Sequence, residues 1–238
     1  MSGKLLSFFG EPALKAAVRR RVAEHQRLDQ ITQGVYWDDH RFRGCFIGCS
    51  LHSRFYSDFE RLLGLPTWLA RLGERVFECL DRVYAVRFPL RLYDAIPVGV
   101  DLTPVRHAFL AWLVREYCVP HDRRHVAVAL AHEAALRGDP DWPAERAAAD
   151  DRVREAVEAA DYRASDVACI ARNAIAEDDE DFVVDNTVYA FGDVAAAASG
   201  DKLIALCAAI PDAAVEAHLP DDPAFAAYYD AVLAEQVA

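Results

Sequence analysis

The residues with the most chemical potential lie in one short run, Gly44-Cys45-Phe46-Ile47-Gly48-Cys49-Ser50-Leu51-His52. On a helix, positions 45, 49 and 52 share one narrow face, because i, i+4 and i+7 nearly superpose. Two thiolates and an imidazole converging there would suit a soft metal such as zinc, with a fourth ligand from elsewhere closing the tetrahedron. Cys45 and Cys49 could also form a redox pair, although redox motifs usually place two residues between the cysteines rather than three. The three-cysteine pattern of radical iron–sulfur enzymes is close, but His52 stands where the third cysteine should be, and the strand-rich barrel it needs is not indicated. Packing offers a competing account. Gly44 and Gly48, four apart, would let a neighbouring backbone approach closely, and free cysteines are among the most buried residue types.

A second cluster holds His121, His125 and His132, with Glu133 beside the last. If one helix spans them the imidazoles share a side, and His125 and His132 are the better candidate metal ligands. Pro120 and Asp122 place His121 ahead of that helix. His121-Asp122 matches the dipeptide of helical metal phosphohydrolases in those two residues only, and a solvated or partner-facing row is the competing reading.

A third stretch interleaves basic and aromatic residues: His40, Arg41, Phe42, Arg43, Arg54, Phe55, Tyr56 and Phe59. Such patterns can stack bases and hold phosphates, yet a sequence pI near 5.1 weighs against nucleic acid. The acidic run from Glu177 to Asp181 lacks the glycine and spacing of a calcium loop and reads as a solvated connector.

The elements that must position these groups read as helices. Glu11-Pro12 opens the first, with Leu14, Val18, Val22 and Leu28 on one face to about residue 32. Arg21 and His25 fall inside that stripe, where carboxylate partners are expected. Residues 33–40 read as loop, and residues 44–63 as helical in at least their first part. Pro66 suits the first position of a helix carrying Trp68, Leu69, Leu72, Val76 and Leu80 at helical spacing. Phe88-Pro89 restarts a short helix that stops before Pro97. Asp101 or Thr103 caps another near Pro104, with Phe109, Leu110, Leu113 and Val114 as its core face. Asp122 caps a helix to about Arg137, ended by Gly138-Asp139-Pro140. Pro143 opens an Ala-rich charged helical segment to Ile175, and two last helices cover about 200–210 and 223–236. Phe182 to Val184 suits a short strand, which alone makes no sheet. The fold class is all-α, an irregular multi-helix bundle with little or no β structure.

At 238 residues the chain suits one helical domain over 1–238, divisible into two lobes at about residue 138. Residues 1–137 carry 20 Lys and Arg against 15 Asp and Glu, and residues 138–238 carry 6 against 23. The first lobe is therefore mildly basic, and the second is acidic and Ala-rich. An acidic C-terminal half repels nucleic acid and anionic membrane, so neither is an expected partner. No apolar run approaches the ~18–20 residues that span a bilayer. The N-terminal apolar patch is too short for a signal sequence and no cleavage site follows it. A cytoplasmic protein is expected, and the six cysteines, most of them single among apolar neighbours, fit reduced thiols.

Several segments resemble a family of uncharacterised bacterial proteins that share a G-C-x-x-G-C-x-x-H block. They are Gln33-Gly34-Val35-Tyr36-Trp37, the run Gly44 to His52, Leu63-Gly64-Leu65-Pro66 with Trp68 to Leu72, and Ala95 to Leu102. Asp201-Lys202-Leu203-Ile204 adds to the likeness. The resemblance covers about a third of the chain. It implies that Cys45, Cys49 and His52 are the residues to follow, and it implies no activity.

The functional expectation is a non-catalytic helical protein that binds a protein partner or itself, with no cofactor. It rests on the charge division, the long charged Ala-rich segment and the lack of a phosphate loop or cofactor fingerprint. The alternative is a metal-dependent or thiol enzyme using Cys45, Cys49 and His52, with zinc as its cofactor and a further ligand from His121 to Glu133.

Overall fold

The helices begin where the sequence supplies a cap or a stiff first turn. The computed structural model describes residues 4–113, 115–116, 126–145, 147–148 and 196–235. Helix α1, Pro12–Arg27, starts with the Glu11 carboxylate accepting the Ala13 N–H and with proline in its first turn. It stops short of residue 32, because Asp29 takes a positive φ of 53° and turns the chain. Leu28 is consequently left 46% exposed, outside the expected core stripe. The buried face is Leu14, Ala17, Val18, Arg21, Val22 and His25.

Two-residue strands follow, β1 at Trp37–Asp38 and β2 at Arg43–Gly44, paired antiparallel with Trp37 opposite Gly44. Ile31 forms an isolated parallel bridge to Gly44. Next come α2 (Phe46–Leu51), α3 (Ser57–Leu63), α4 (Thr67–Cys79) and α5 (Arg82–Ala95). Pro66 precedes α4 as its cap rather than entering it. Asp81 caps α5 by accepting the Val83 N–H, so this helix begins well before Phe88 and continues through Pro89. An interior proline removes one helical hydrogen bond. Burial of Phe88, Leu92 and Tyr93 on either side holds the helix together, as tertiary packing commonly does. Helices α6 (Thr103–Leu113), α7 (Val126–Leu136), α8 (196–208) and α9 (Pro223–Ala234) follow, and a 3-10 turn at Ser7–Gly10 and short helical stretches at 142–145 and 147–148 lie outside this numbering. The fold is a mostly helical, irregular bundle, and among the described residues sheet is confined to the β1–β2 pair and the one bridge. No described helix is long and apolar enough to cross a membrane.

The chain divides into two compact units, one of Met1–Leu102 with Leu203–Ala238 and one of Thr103–Lys202. This division does not follow the charge boundary near residue 138. In the first unit, Phe46 is the hub of the core, with the Phe59 and Tyr93 rings 5.6 and 5.7 Å away. The extended stretch 211–222 is stitched to the early chain. Ala213 N–H donates to Val98 O (2.9 Å), His218 N–H donates to Phe9 O (3.0 Å), and the Asp212 carboxylate accepts Val98 N–H (2.7 Å). Val215 lies against Gly10 and Gly99, both at positive φ, and its Cγ2 would be 2.8 and 2.5 Å from a Cβ at those positions. In the second unit, α6 and α7 are neighbours. Val105, Phe109, Leu110 and Leu113 are buried on α6, and Ala129, Ala131 and Ala134 on α7. The Ala-rich helix expected to open at Pro143 does begin there, with residues 142–145 and 147–148 helical. Its remainder, the acidic run and the strand at 182–184 lie outside the described residues, as does the N-terminal end of the helix expected from Asp122.

Candidate functional site

The run from Gly44 to His52 is only partly helical, and that decides where its side chains go. Cys45 is the extended cap ahead of α2, and His52 closes α2 in the left-handed conformation (φ 52°). A left-handed C-cap directs the chain away from the helical path, so position 52 leaves the face it would share with positions 45 and 49. Cys45 N–H donates to Val35 O (2.6 Å), and Gly44 N–H donates to Gln30 O (3.0 Å). A Cβ at either Gly44 or Gly48 would collide with the Tyr36 carbonyl oxygen, so the two glycines do admit a neighbouring backbone.

The cysteines are fully buried. The Cys45 thiol faces Tyr36 O at 3.5 Å and also interacts with the Glu74 carboxyl. The Cys49 thiol donates to Gly44 O at 3.2 Å, with Gln30 O at 3.7 Å. Burial pushes Cys45 far above the ordinary thiol range and Cys49 up to about 12, so both are protonated at neutral pH. Reactive or metal-binding cysteines need the thiolate, which this environment disfavours. Cys45, Cys49 and His52 are not brought to one point. Among the described residues, no group of three or more His, Cys, Asp or Glu side chains is placed to hold a metal ion.

His52 instead meets His25, the Nε2 atoms lying 2.9 Å apart with the rings at 82°. The two groups come from different elements, His25 from the last turn of α1 and His52 from the end of α2. Gln30 Oε1 lies 2.7 Å from His25 Nδ1 and can only accept, so that nitrogen carries the proton. His25 Nε2 is therefore an acceptor, and His52 Nε2–H is the donor between the rings. Trp37 stacks on His52 with centroids 4.3 Å apart and planes within 13°. Burial is the chief cause holding both imidazoles below the usual histidine range, and the charge of Arg21 adds to it.

Arg21, buried beside them, forms a two-pronged pair with Glu235 of α9 at 2.8 and 2.7 Å. It also donates to Ser50 O at 3.2 Å, an acceptor shared with the Tyr228 hydroxyl at 3.2 Å. The carboxylate partner expected for Arg21 is thus present. His25, by contrast, pairs with an amide and an imidazole, because the turn after α1 returns Gln30 to it.

These groups wall a cleft of about 790 Å³ between α1, α9 and the chain around Phe42. Its polar lining includes Arg20, Arg21, His25, Gln30 and His52, and its apolar lining includes Leu28, Phe42 and Val232. His52 is exposed there, whereas His25 is 7% exposed. Sequence reasoning selected His52 but attached it to the cysteines. A buried-face histidine on α1 and a histidine after a helix end gave the signal, and the 27-residue separation hid the pairing.

Of the second cluster, His121 and His125 lie outside the described residues. His132 is buried on α7 with its Nδ1 3.1 Å from Nδ1 of His107 on α6, a residue the sequence reading did not single out. Glu133 pairs with Arg115 at 2.6 Å. In the basic–aromatic stretch, Phe42 and Phe55 are 58% and 62% exposed, while Phe59 is fully buried in the core. Compared with known protein families, with curated proteins and with solved structures, the chain finds no match in any of the three.

Proposed function

We propose that this chain is a binding protein whose ligand is a small organic molecule, with an apolar body and a hydrogen-bonding head, held in the cleft between α1 and α9. The observation that carries this reading is the pair of facing imidazoles, His25 and His52, at the wall of a cleft of about 790 Å³. Small-molecule sites commonly occupy about 300–1,000 Å³ and combine apolar walls with a few convergent polar groups. Leu28, Phe42 and Val232 supply the walls, and His52 and Gln30 supply the polar end. The buried thiols argue against the thiol-enzyme alternative, since neither is ionised at neutral pH.

The test is a thermal-shift screen, in the presence of chelator, against aryl and short-chain alcohols, amides and carboxylates. A true ligand at ~100 times its Kd raises Tm by about 5 °C or more, and His52→Ala and Leu28→Glu abolish the shift. Equal shifts in the wild type and both variants, or none across the panel, would count against the cleft.

A second reading, a protein partner or a second copy of the chain, is favoured by the exposed aromatic rings of Tyr36, Phe42 and Phe55 at 52%, 58% and 62%. Aromatic side chains are enriched at interfaces. Sedimentation velocity over a range of concentrations tests self-association, with Phe55→Ser expected to restore the monomer. Cys45, Cys49 and Cys207 are free, buried thiols, which suits a reducing compartment such as the cytoplasm.

A further inference from the structure

We propose that His25 Nε2 and His52 Nε2 together ligate one divalent transition-metal ion, of the class zinc, copper or nickel that imidazole prefers, at the wall of the cleft. The proposal rests on the cleft being the binding site and gives the ligand's head group a cation to meet. Metal–imidazole bonds of about 2.0–2.1 Å at angles of 90–109° place the two nitrogens about 2.9–3.4 Å apart. The observed separation is 2.9 Å, the value for a right-angle pair, and a few tenths of an ångström of opening give the tetrahedral one.

The surroundings are those of a ligand pair. Metal-bound histidines generally donate their other N–H to a carbonyl or carboxylate, which fixes the tautomer. Gln30 Oε1 does this for His25 Nδ1 at 2.7 Å. Trp37, stacked at 4.3 Å, fixes the plane of the His52 ring. His25 needs no proton movement to bind. For His52, the proton now on Nε2 leaves through solvent while Nδ1 takes one up, so the ring stays neutral and no net proton is released.

Of the arginines lining the cleft, Arg21 is paired two-pronged with Glu235 and Arg27 with Glu24 at 2.6 Å, which offsets but does not cancel their charge at the imidazoles, and Arg20 lies in the same wall. Asp39 also lies within electrostatic reach of His52, its carboxylate accepting the Trp37 indole N–H at 2.6 Å. With two protein ligands, the remaining coordination positions face the cleft and fall to water or to the head group of an organic ligand. The thiols of Cys45 and Cys49 take no part.

The experiment is calorimetric titration of the full chain, freed of tag and chelator, with Zn(II), Ni(II) and Cu(II), followed by electron paramagnetic resonance of the copper form. One equivalent of metal is expected, with superhyperfine structure from two nitrogens. His25→Gln and His52→Gln should each weaken binding at least tenfold. Gln30→Leu, which removes only the acceptor behind His25, should weaken it about tenfold with both ligands still present. Cys45→Ala/Cys49→Ala should bind as the wild type does. Circular dichroism of each variant establishes that it is folded.

Absence of binding by the folded wild type, or binding undiminished in both histidine variants, overturns the metal site. Loss of binding in the cysteine variant alone returns the metal to the thiols and likewise overturns it. The organic-ligand screen, run in chelator, is read separately: hits without metal binding leave the cleft standing, and neither hits nor metal binding removes both.

Discussion

Gly44 and Gly48 lie so close to the Tyr36 carbonyl that neither position has room for a methyl group. Gly48→Ala should therefore destabilise the protein by about 3 kcal/mol or more, because backbone rather than a flexible side chain must give way. Cys49→Ala leaves only a small void and should cost about 1 kcal/mol. Urea denaturation compares the two, and a smaller loss for the glycine variant would contradict the close approach. Glu74 is 6% exposed, with Oε2 lacking a hydrogen-bond partner, and burial raises its carboxyl to about 7. The Cys45 thiol and the Ile47 N–H pull in the opposite sense without cancelling the shift. Below pH ~4.5 the folded and unfolded chains both hold this proton. As pH rises toward 7 the unfolded chain releases it first, so stability falls across that window and stays lower above it. Glu74→Gln should be more stable than the wild type at pH 8, by on the order of 3 kcal/mol, with the difference vanishing by pH 4. An equal difference at both pH values would show that ionisation is not involved.

The helices that carry local signals are the ones legible in the sequence. Glu11-Pro12 and Pro66 with its Trp68-to-Val76 repeat each announce a start, and the structure places helices at both. The continuation of α5 through Pro89 was not legible, because burial of Phe88 and Leu92 outweighs a local penalty that sequence alone can see. At the site, the value of Gly44 and Gly48 for close approach was legible from their spacing. The turn of Asp29 that brings Gln30 to His25, and the left-handed cap that moves His52 off its helix face, were not. Arg21 and Glu235 are 214 residues apart, and nothing local links them. Removing the half-exposed acid strands a buried guanidinium, so Glu235→Ala should cost about 1–3 kcal/mol, and Arg21→Met, which leaves no buried charge, should cost less. Thermal denaturation distinguishes the two, and a costlier Arg21→Met would show that lost contacts to Ser50 and Tyr228 dominate.

For the molecule as a whole, the first unit is built from both ends of the chain. Tyr228, Val232 and Phe225 are buried within it, and residues 211–222 bond to the chain around Phe9 and Val98. A chain shortened to residues 1–202 should therefore lose the fixed environment of its early aromatic residues. The near-UV circular dichroism contributed by this unit should vanish even where helical content persists. The charge boundary near residue 138 gave no hint of this arrangement, because net charge bears on solubility and partners rather than on which segments share a core.

The same arrangement sets a clock on biosynthesis. Residues 1–102 leave the ribosome without α9, whose last residue, Ala234, is made 132 residues after Leu102. At about 5–20 residues per second, that interval is about 7–26 s. Throughout it Phe9 and the faces of α1 and α3 that pack on α9 stay uncovered. Translation speed across the intervening stretch thus becomes a determinant of yield.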